Sequence, residues 1–120
     1  MSLDLEIQEV ENHLAVKASG RYSFANLFEL FARLKAESEK HNSQHVILDV
    51  TRVAGTLPIM EMFLLGDHCS KVWGPPFRIA ILPLEEWVYK FLENVARNRG
   101  VQVAVVTHPT AAMEWVTLQQ

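Results

Sequence analysis

The chain has little of what several classes of protein need. It has one cysteine, Cys69, so no intramolecular disulfide can form, and we expect a protein of a reducing compartment, by default the cytoplasm. Eleven Lys and Arg residues against fourteen Asp and Glu give a net charge of −3, without the positive excess that binding to a nucleic-acid backbone requires. The five glycines are isolated from one another, so the glycine-rich loop of phosphate-binding enzymes is missing. We therefore expect no nucleic-acid partner.

Long apolar runs are also missing. The N-terminus, MSLDLEIQEVENH, alternates apolar and charged residues, whereas a signal peptide has a basic start and then an apolar block, so we expect none. No segment approaches the length of a membrane span. Hydrophobic residues nevertheless make up 49% of the 120 residues, and a domain of this length can bury about two-thirds of its unfolded surface. We expect a single domain over residues 1–120.

The first third of the chain predicts a β-hairpin and a helix. Apolar and polar residues alternate in LDLEIQ and again in LAVKA, on either side of a polar ENH turn. Ser23 is suited to cap a helix over residues 24–41, because its hydroxyl can accept from an unpaired backbone N–H. Apolar residues recur on this helix at helical spacing: Phe24, Leu27, Phe28, Phe31 and Leu34.

The rest of the chain alternates short buried strands, HVILDVT, FRIAILP and VQVAVVT, with helical patterns. The second helix is expected over residues 58–73, with these residues inward: Ile59, Met62, Phe63, Gly66, Cys69 and Val72 or Trp73. The third is EEWVYKFLENVARNRG, with these inward: Trp87, Val88, Phe91, Leu92, Val95 and Ala96. Gly100 suits a left-handed cap, and PTAAMEWV forms a closing helix. The order β-β-α-β-α-β-α-β-α predicts an α/β fold with a mixed, mostly parallel sheet opened by the hairpin.

These segments resemble a known family. VILDVTRVAG leading into a helix, then FRIAILP, FLENVARNRGVQVAVV and PTAAMEWV, resemble the STAS domain of anti-sigma-factor antagonists, in particular the SpoIIAA-like (STAS/SEC14-like) branch of small stand-alone bacterial proteins. The resemblance extends over essentially the whole chain. It implies a SpoIIAA-like fold and a non-enzymatic regulatory domain that binds protein partners. In some members a serine at the start of the helix after the third strand is a phosphorylation switch, and related members are linked to nucleotide or lipid ligands.

The position of that serine is occupied differently in this chain. Aligned without gaps from Asp49, it falls at Pro58, which has no hydroxyl, and with a shift of two residues it falls at Thr56. Thr56 is therefore the candidate phospho-acceptor, at a helix N-terminus whose dipole and free N–H groups stabilise a phosphate. The alternative is that its hydroxyl caps the helix, a role worth about 1 kcal/mol. We expect the capping role, and a domain without the serine switch.

The candidate binding surface follows from topology. Open α/β sheets usually bind ligands at the carboxyl ends of adjacent parallel strands. The residues expected there are Asp49, Thr51, Arg52, Gly55, Thr56, Pro83, Glu85, Thr107 and His108. Asp49, near the end of a buried strand, needs a partner, which is Arg52, Arg78 or the backbone N–H groups of its own turn. We expect a structural role for this carboxylate.

Neither catalysis nor metal binding is predicted. A nucleophilic Cys69 needs a lowered thiol pKa and a nearby base, but His68 points about 100° away from it on a helix, which favours a buried core thiol. His41 and His45 have the spacing of a zinc pair, yet HNSQH runs from a helix end through a loop into a strand, so the helical face is lost. We expect no metal and no cofactor.

Two functions remain open. The leading hypothesis is a STAS-like domain that binds another protein, or itself as a homodimer, without catalysis. The alternative is a carrier or sensor of a small apolar, lipid-like ligand, with a pocket between the Phe-rich first helix and the sheet. The apolar stripe of that helix is wider than one sheet contact needs, and an uncovered remainder would be a dimer or ligand surface. A cysteine-dependent enzyme ranks last.

Overall fold

Strands and helices follow one another in the predicted order, β-β-α-β-α-β-α-β-α. The computed structural model describes residues 3–10, 13–55 and 58–117, and the side chain of Val88 lies outside this description. The elements are β1 (Asp4–Val10), β2 (His13–Arg21), α1 (Phe24–Lys40), β3 (His45–Ala54), α2 (Ile59–Val72), β4 (Arg78–Pro83), α3 (Glu86–Arg97), β5 (Gln102–Val105) and α4 (Pro109–Thr117). The predicted fold class and element order are confirmed.

The sheet has the strand order β1-β2-β3-β4-β5, so neighbours in sequence are neighbours in space. β1 and β2 form the expected antiparallel hairpin, with Ile7 opposite Val16, and the predicted turn residues Glu11 and Asn12 lie outside the described residues. β2, β3, β4 and β5 are parallel, and each crossover between them contains a helix, as parallel neighbours require. The carboxyl ends of these four parallel strands, each of which precedes a helix, therefore lie along one edge of the sheet.

Helices cover the two faces of the sheet unequally. α1, α2 and α3 pack on one face, where the main core contains Ile79 and Ile81 of β4. α4 packs on the other face, against Ala80 and Leu82 of the same strand. Every residue of β4 is buried because both of its faces are covered, as in other parallel sheets. On the α4 side, Lys17 of β2 remains exposed.

Local signals for helix ends are also confirmed. Ser23 has an extended backbone and accepts a hydrogen bond from the backbone N–H of Asn26 at 3.1 Å, as an N-cap does. Gly100, after α3, has φ +88°, the left-handed conformation predicted for a helix cap. α2 begins at Ile59 with Pro58 in the N-cap position, and Pro58 provides no side-chain cap hydrogen bond.

The inward faces of the helices were predicted only in part. Several residues expected to face inward are exposed: Phe28 (41%), Ile59 (70%), Phe63 (38%), Trp87 (68%) and Phe91 (39%). These predictions are wrong, and Leu65 and Tyr89, which were not expected to face inward, are buried. The predicted apolar stripes are wider than the buried face of each helix, and α2 and α3 approach each other closely at Gly66, where an added Cβ would lie 2.8 Å from Cβ of Val95.

A buried carboxylate covers the last edge of the sheet. Glu93 of α3 is 4% exposed, and its Oε2 accepts from the backbone N–H of Val105 in β5 at 2.6 Å. Nζ of Lys90 donates to the other carboxylate oxygen at 3.1 Å. Because an unpaired strand edge is a template for pairing with another chain, α3 protects the sheet at this side.

Candidate functional site

The carboxyl end of β3 contains a β-bulge that Asp49 stabilises. Lys17 of β2 lies beside Asp49, but Ser19 lies beside Arg52, so β3 has one more residue than β2 over this interval. Oδ1 of Asp49 accepts from the backbone N–H of Thr51 at 2.9 Å and from its hydroxyl at 2.6 Å. The partners considered for Asp49 were Arg52, Arg78 and the backbone N–H groups of its own turn, and the last of these is confirmed. The bulge leaves Thr51 and Arg52 both exposed, and bulges commonly redirect side chains next to functional sites.

Three of the predicted site residues line a polar cleft on the side of the sheet opposite α1. The cleft has a volume of about 320 Å³ and is lined by Glu6, Lys17, Ala18, Ser19, Asp49, Thr51 and Arg52. Sequence reasoning did not identify Glu6 and Lys17 as site residues. The alternating pattern of the hairpin places Glu6 and Lys17 on its polar side. The pattern does not show, however, that β3 lies next to the hairpin.

Tyr22 contacts both the end of β3 and the first turn of α2. Its backbone N–H donates to the carbonyl of Ala54 at 2.6 Å, and its phenol donates to Oε1 of Glu61 in the first turn of α2 at 2.5 Å. Burial, followed by the hydrogen bond to the Glu61 carboxylate and its charge, raises the pKa of Tyr22 well above its usual value. Gly55 has φ +123°, and an added Cβ would lie 3.1 Å from Cβ of Tyr22. Sequence reasoning missed Tyr22 and Glu61, which are 39 residues apart.

The other predicted site residues lie along the same edge but not in the cleft. Pro83 ends β4 and is buried, whereas Glu85 is exposed in the loop that follows it. Thr107 and His108 are exposed before α4, and the His108 carbonyl accepts from the backbone N–H of Ala112 at 3.1 Å. Thr56 lies outside the described residues, so its capping and phospho-acceptor roles remain predictions.

Two apolar side chains are prominent at this edge. Ile59, the first residue of α2, is 70% exposed, and Leu84, in the loop before α3, is 61% exposed. We use the name end surface for the exposed residues at the carboxyl ends of the strands and the beginnings of the next helices: Thr51, Arg52, Gly55, Ile59, Leu84, Glu85, Thr107 and His108. It combines polar groups with exposed apolar side chains.

Arg78 has a structural position away from Asp49. It is 3% exposed under α4, where Nε donates to the Trp115 carbonyl at 2.8 Å and Nη1 donates to Oε1 of Gln102 at 2.7 Å. Its guanidinium also lies 4.1 Å from the centre of the Trp115 ring, a cation–π contact. The hypothesis that Arg78 pairs with Asp49 is therefore wrong, and this arginine attaches α4 to the sheet.

Cys69 is a core thiol. It is fully buried on α2, and burial raises its pKa well above the usual value, which disfavours the thiolate that a nucleophile needs. His68 points elsewhere and stacks on Phe28 of α1, with ring centroids 3.8 Å apart. Within residues 3–10, 13–55 and 58–117, no group of three or more His, Cys, Asp or Glu residues could hold a metal ion, and no helix is long and apolar enough to cross a membrane.

Known structures share this architecture. No family model and no curated protein matches the chain in sequence. An anti-sigma factor antagonist from Mycobacterium paratuberculosis is similar with a TM-score of 0.63 and 12% identity, over 97% of this chain and 95% of that one. SpoIIAA, an anti-sigma factor antagonist in its unphosphorylated form, has a TM-score of 0.58 and 10% identity, over 98% and 100% of the two chains.

A third similar structure has no assigned function. It is an uncharacterised protein with a SpoIIAA-like fold from Shewanella loihica, with a TM-score of 0.54 and 20% identity, over 96% of this chain and 93% of that one. At these identities the likeness concerns the fold. The SpoIIAA-like fold, expected from the sequence resemblance, is thereby confirmed.

Proposed function

We propose, from the SpoIIAA-like fold, that the chain is a non-catalytic regulatory domain over residues 1–120 that binds a protein partner through its end surface. The exposure of Ile59 and Leu84 carries this proposal, because large apolar side chains surrounded by polar ones are typical of the centre of a protein interface. The regulatory role is supported by two similar structures, which are anti-sigma factor antagonists. Cytoplasmic location is part of the proposal.

The proposal omits catalysis because the candidate nucleophile is poorly placed. Cys69 is buried, its thiol pKa is raised, and it lies on the core side of α2, away from the end surface. The exposed groups of the end surface, such as Arg52, Glu85 and His108, can instead form hydrogen bonds and ion pairs at the rim of an interface.

The end surface is proposed to act without a phosphoswitch. Pro58 stands where the serine of phosphorylated STAS proteins falls in an ungapped alignment, and it has no hydroxyl. Intact-mass analysis of wild type and Thr56→Ala, each expressed in the native cell, is expected to show no phosphate on either protein. One added phosphate on wild type that is missing from Thr56→Ala would establish the switch.

The binding test compares partners captured by matched variants. Wild type, Ile59→Glu, Leu84→Glu and Arg52→Glu are used as bait in a lysate of the native cell, and captured proteins are identified by mass spectrometry. Val10→Glu is the control. Val10 is an exposed apolar residue (37%) that lies beside His13, at the beginning of β2, and therefore at the end of the sheet opposite the end surface. We expect a protein bound by wild type and Val10→Glu to bind the end-surface variants about 30-fold more weakly, since central apolar residues carry most of the binding energy.

The comparison requires that all variants be folded, which thermal unfolding verifies. A partner list that is unchanged by all three end-surface substitutions would remove this surface from consideration. A partner lost equally with Val10→Glu would mean that charge at any exposed position prevents capture.

The alternative function, a carrier of a small apolar ligand, is favoured by one observation. Phe28 is the part of the apolar stripe on α1 that the core does not cover, and it is 41% exposed beside α2. Native mass spectrometry of protein purified from its own cells would show a retained lipid if this function is right. The mass of protein alone, as monomer or dimer, is expected under the protein-binding proposal.

A further inference from the structure

Exposed apolar residues also lie along the outer sides of α2 and α3. We use the name helix face for Met60, Phe63, Leu64, Trp87 and Phe91, which are between 38% and 68% exposed. Met60 and Leu64 are four residues apart, as are Trp87 and Phe91, so each helix has an apolar stripe. Such a concentration exceeds the scattered apolar residues of an ordinary surface and indicates an interface.

The two stripes are next to each other. α2 and α3 both follow strands of the parallel part of the sheet, so they run in the same direction, and they touch where Gly66 meets Val95. Phe63 is three residues before Gly66, and Phe91 is four residues before Val95. With 3.6 residues per turn, both aromatic rings lie about one turn before the crossing, on neighbouring helices. The helix face is therefore one surface across two helices.

Charges at the two ends of the helix face have opposite signs. Glu85 and Glu86 lie at the beginning of α3, where the apolar stripe starts, and Lys90 pairs with Glu86 at 3.7 Å, so one negative charge remains in excess there. Lys71 lies near the end of α2, and Arg99 follows α3 with its guanidinium reaching back to 5.5 Å from the centre of the Phe63 ring; both contact Asp67, at 3.5 Å and 3.0 Å respectively. Two cations with one carboxylate leave a positive excess at that end. Because the helices are parallel, the face has an acidic end and a basic end.

We propose that the helix face binds the helix face of a second copy of the chain, around a twofold axis near Phe63 and Phe91. A twofold axis that lies within the interface and runs across the helices reverses them, so the acidic end of one copy meets the basic end of the other. From Phe91 to Glu85 is about 9 Å along α3, and from Phe63 to Lys71 is about 12 Å along α2. Glu85 therefore lies at the end of the interface that contains the partner's Lys71, and the same arrangement occurs twice.

The charges favour a second copy over a lipid surface. A membrane-surface helix has lysine and arginine around its apolar side, whereas the helix face begins at Glu85 and Glu86. Antiparallel helices also place the positive N-terminal end of each dipole beside a negative C-terminal end. A surface that complements itself in apolar residues, charge and dipole suits a symmetric dimer.

The first test measures self-association by sedimentation equilibrium. We expect wild type to dimerise with a Kd of about 10 μM or tighter, and Trp87→Glu to raise that Kd about 100-fold, because a central aromatic contact is lost twice. Trp87 is 68% exposed, so the change leaves the core intact. Val10→Glu is the matched control and should dimerise as wild type does.

The second test exchanges the charges. Glu85→Lys and Lys71→Glu should each raise the Kd about tenfold, because an attraction becomes a repulsion at two places. Mixed together, the two variants form a heterodimer in which both contacts again join opposite charges. Native mass spectrometry of an equimolar mixture, with one variant labelled with ¹⁵N, should show mainly the heterodimer.

The dimer and the end-surface proposal can fail separately. Lys71→Glu should weaken the dimer but still capture the partner protein, since Lys71 lies near the far end of α2 and is not part of the end surface. The dimer proposal is overturned if wild type stays monomeric up to about 1 mM, if Trp87→Glu dimerises like wild type, or if the charge variants show no preference for each other. Sedimentation of wild-type monomer with anionic vesicles, lost in Trp87→Glu, would also overturn it and assign the helix face to a bilayer.

Discussion

Asp49 and Thr51 are joined by two hydrogen bonds to one carboxylate oxygen, from the Thr51 backbone N–H at 2.9 Å and from its hydroxyl at 2.6 Å. This pair maintains the bulge at which β3 gains a residue relative to β2. The carboxylate that interrupts the apolar run VILDVT is therefore bound within its own turn, and Arg52 stays exposed.

Removal of the Asp49 carboxylate is expected to destabilise the bulge. Asp49→Ala should lower the free energy of unfolding by about 1–2 kcal/mol, because both hydrogen bonds are lost at a half-buried position. Asp49→Asn should cost less than about 1 kcal/mol, since the amide oxygen still accepts. Urea denaturation measures both values. If alanine and asparagine were equally destabilising, the hydrogen bonds would not explain the role of Asp49.

Gly55 is expected to tolerate no side chain. Gly55→Ala should lower the free energy of unfolding by about 1–3 kcal/mol, because alanine rarely adopts φ +123° and its Cβ would press on Tyr22. Gly74 is the matched control: an added Cβ meets no atom within 4 Å. Gly74→Ala should stay within about 0.5 kcal/mol of wild type. Equal effects in urea denaturation would show that Gly55 is not special.

Cys69 is expected to be unreactive in the folded protein. Burial raises the pKa of the thiol, so little thiolate is present and the sulfur is inaccessible. Iodoacetamide at neutral pH should modify Cys69 in urea but leave it unmodified in buffer over the same time, as intact-mass analysis shows. Cys69→Ala should retain partner binding while losing about 1–2 kcal/mol of stability from the cavity. Rapid alkylation of the native protein would reopen the enzyme hypothesis.

Stability is expected to fall as the pH falls through the histidine range. Burial, and then the nearby His45, lowers the pKa of His13 below 6.5, and burial followed by Lys71 lowers that of His68. Folding therefore favours the neutral rings. The stability that they contribute is present above the unfolded pKa and is lost as the pH falls below it.

The measurement is the free energy of unfolding between about pH 7.5 and about pH 5, the range in which an ordinary histidine titrates. His13→Gln and His68→Gln should each reduce the loss of stability over this range. Each substitution removes an imidazole, buried at His13 and half-buried at His68, whose protonation folding disfavours. His108→Gln is the control, since His108 is exposed. A pH dependence that neither buried-site variant changes would mean that carboxylates alone cause it.

Much of the fold follows from short-range patterns. The alternation in the hairpin, the buried strand patterns, the Ser23 cap and the glycine at the end of α3 each depend on residues close together in sequence. Periodicity and capping chemistry are local properties, so the chain by itself determined the element order and the α/β class. The buried position of Cys69 followed from its spacing on α2 in the same way.

Only the tertiary structure decided what lies at the surfaces. The apolar stripes of α2 and α3 are wider than the faces that the core buries, so Phe63 and Trp87 are exposed. Tyr22 reaches Glu61 across 39 residues, and Lys17 joins Asp49 only because β2 and β3 pair. Such contacts depend on the positions of whole elements, which no local pattern contains. The sequence therefore determined the elements of the candidate site, and packing between distant elements decided which side chains it presents.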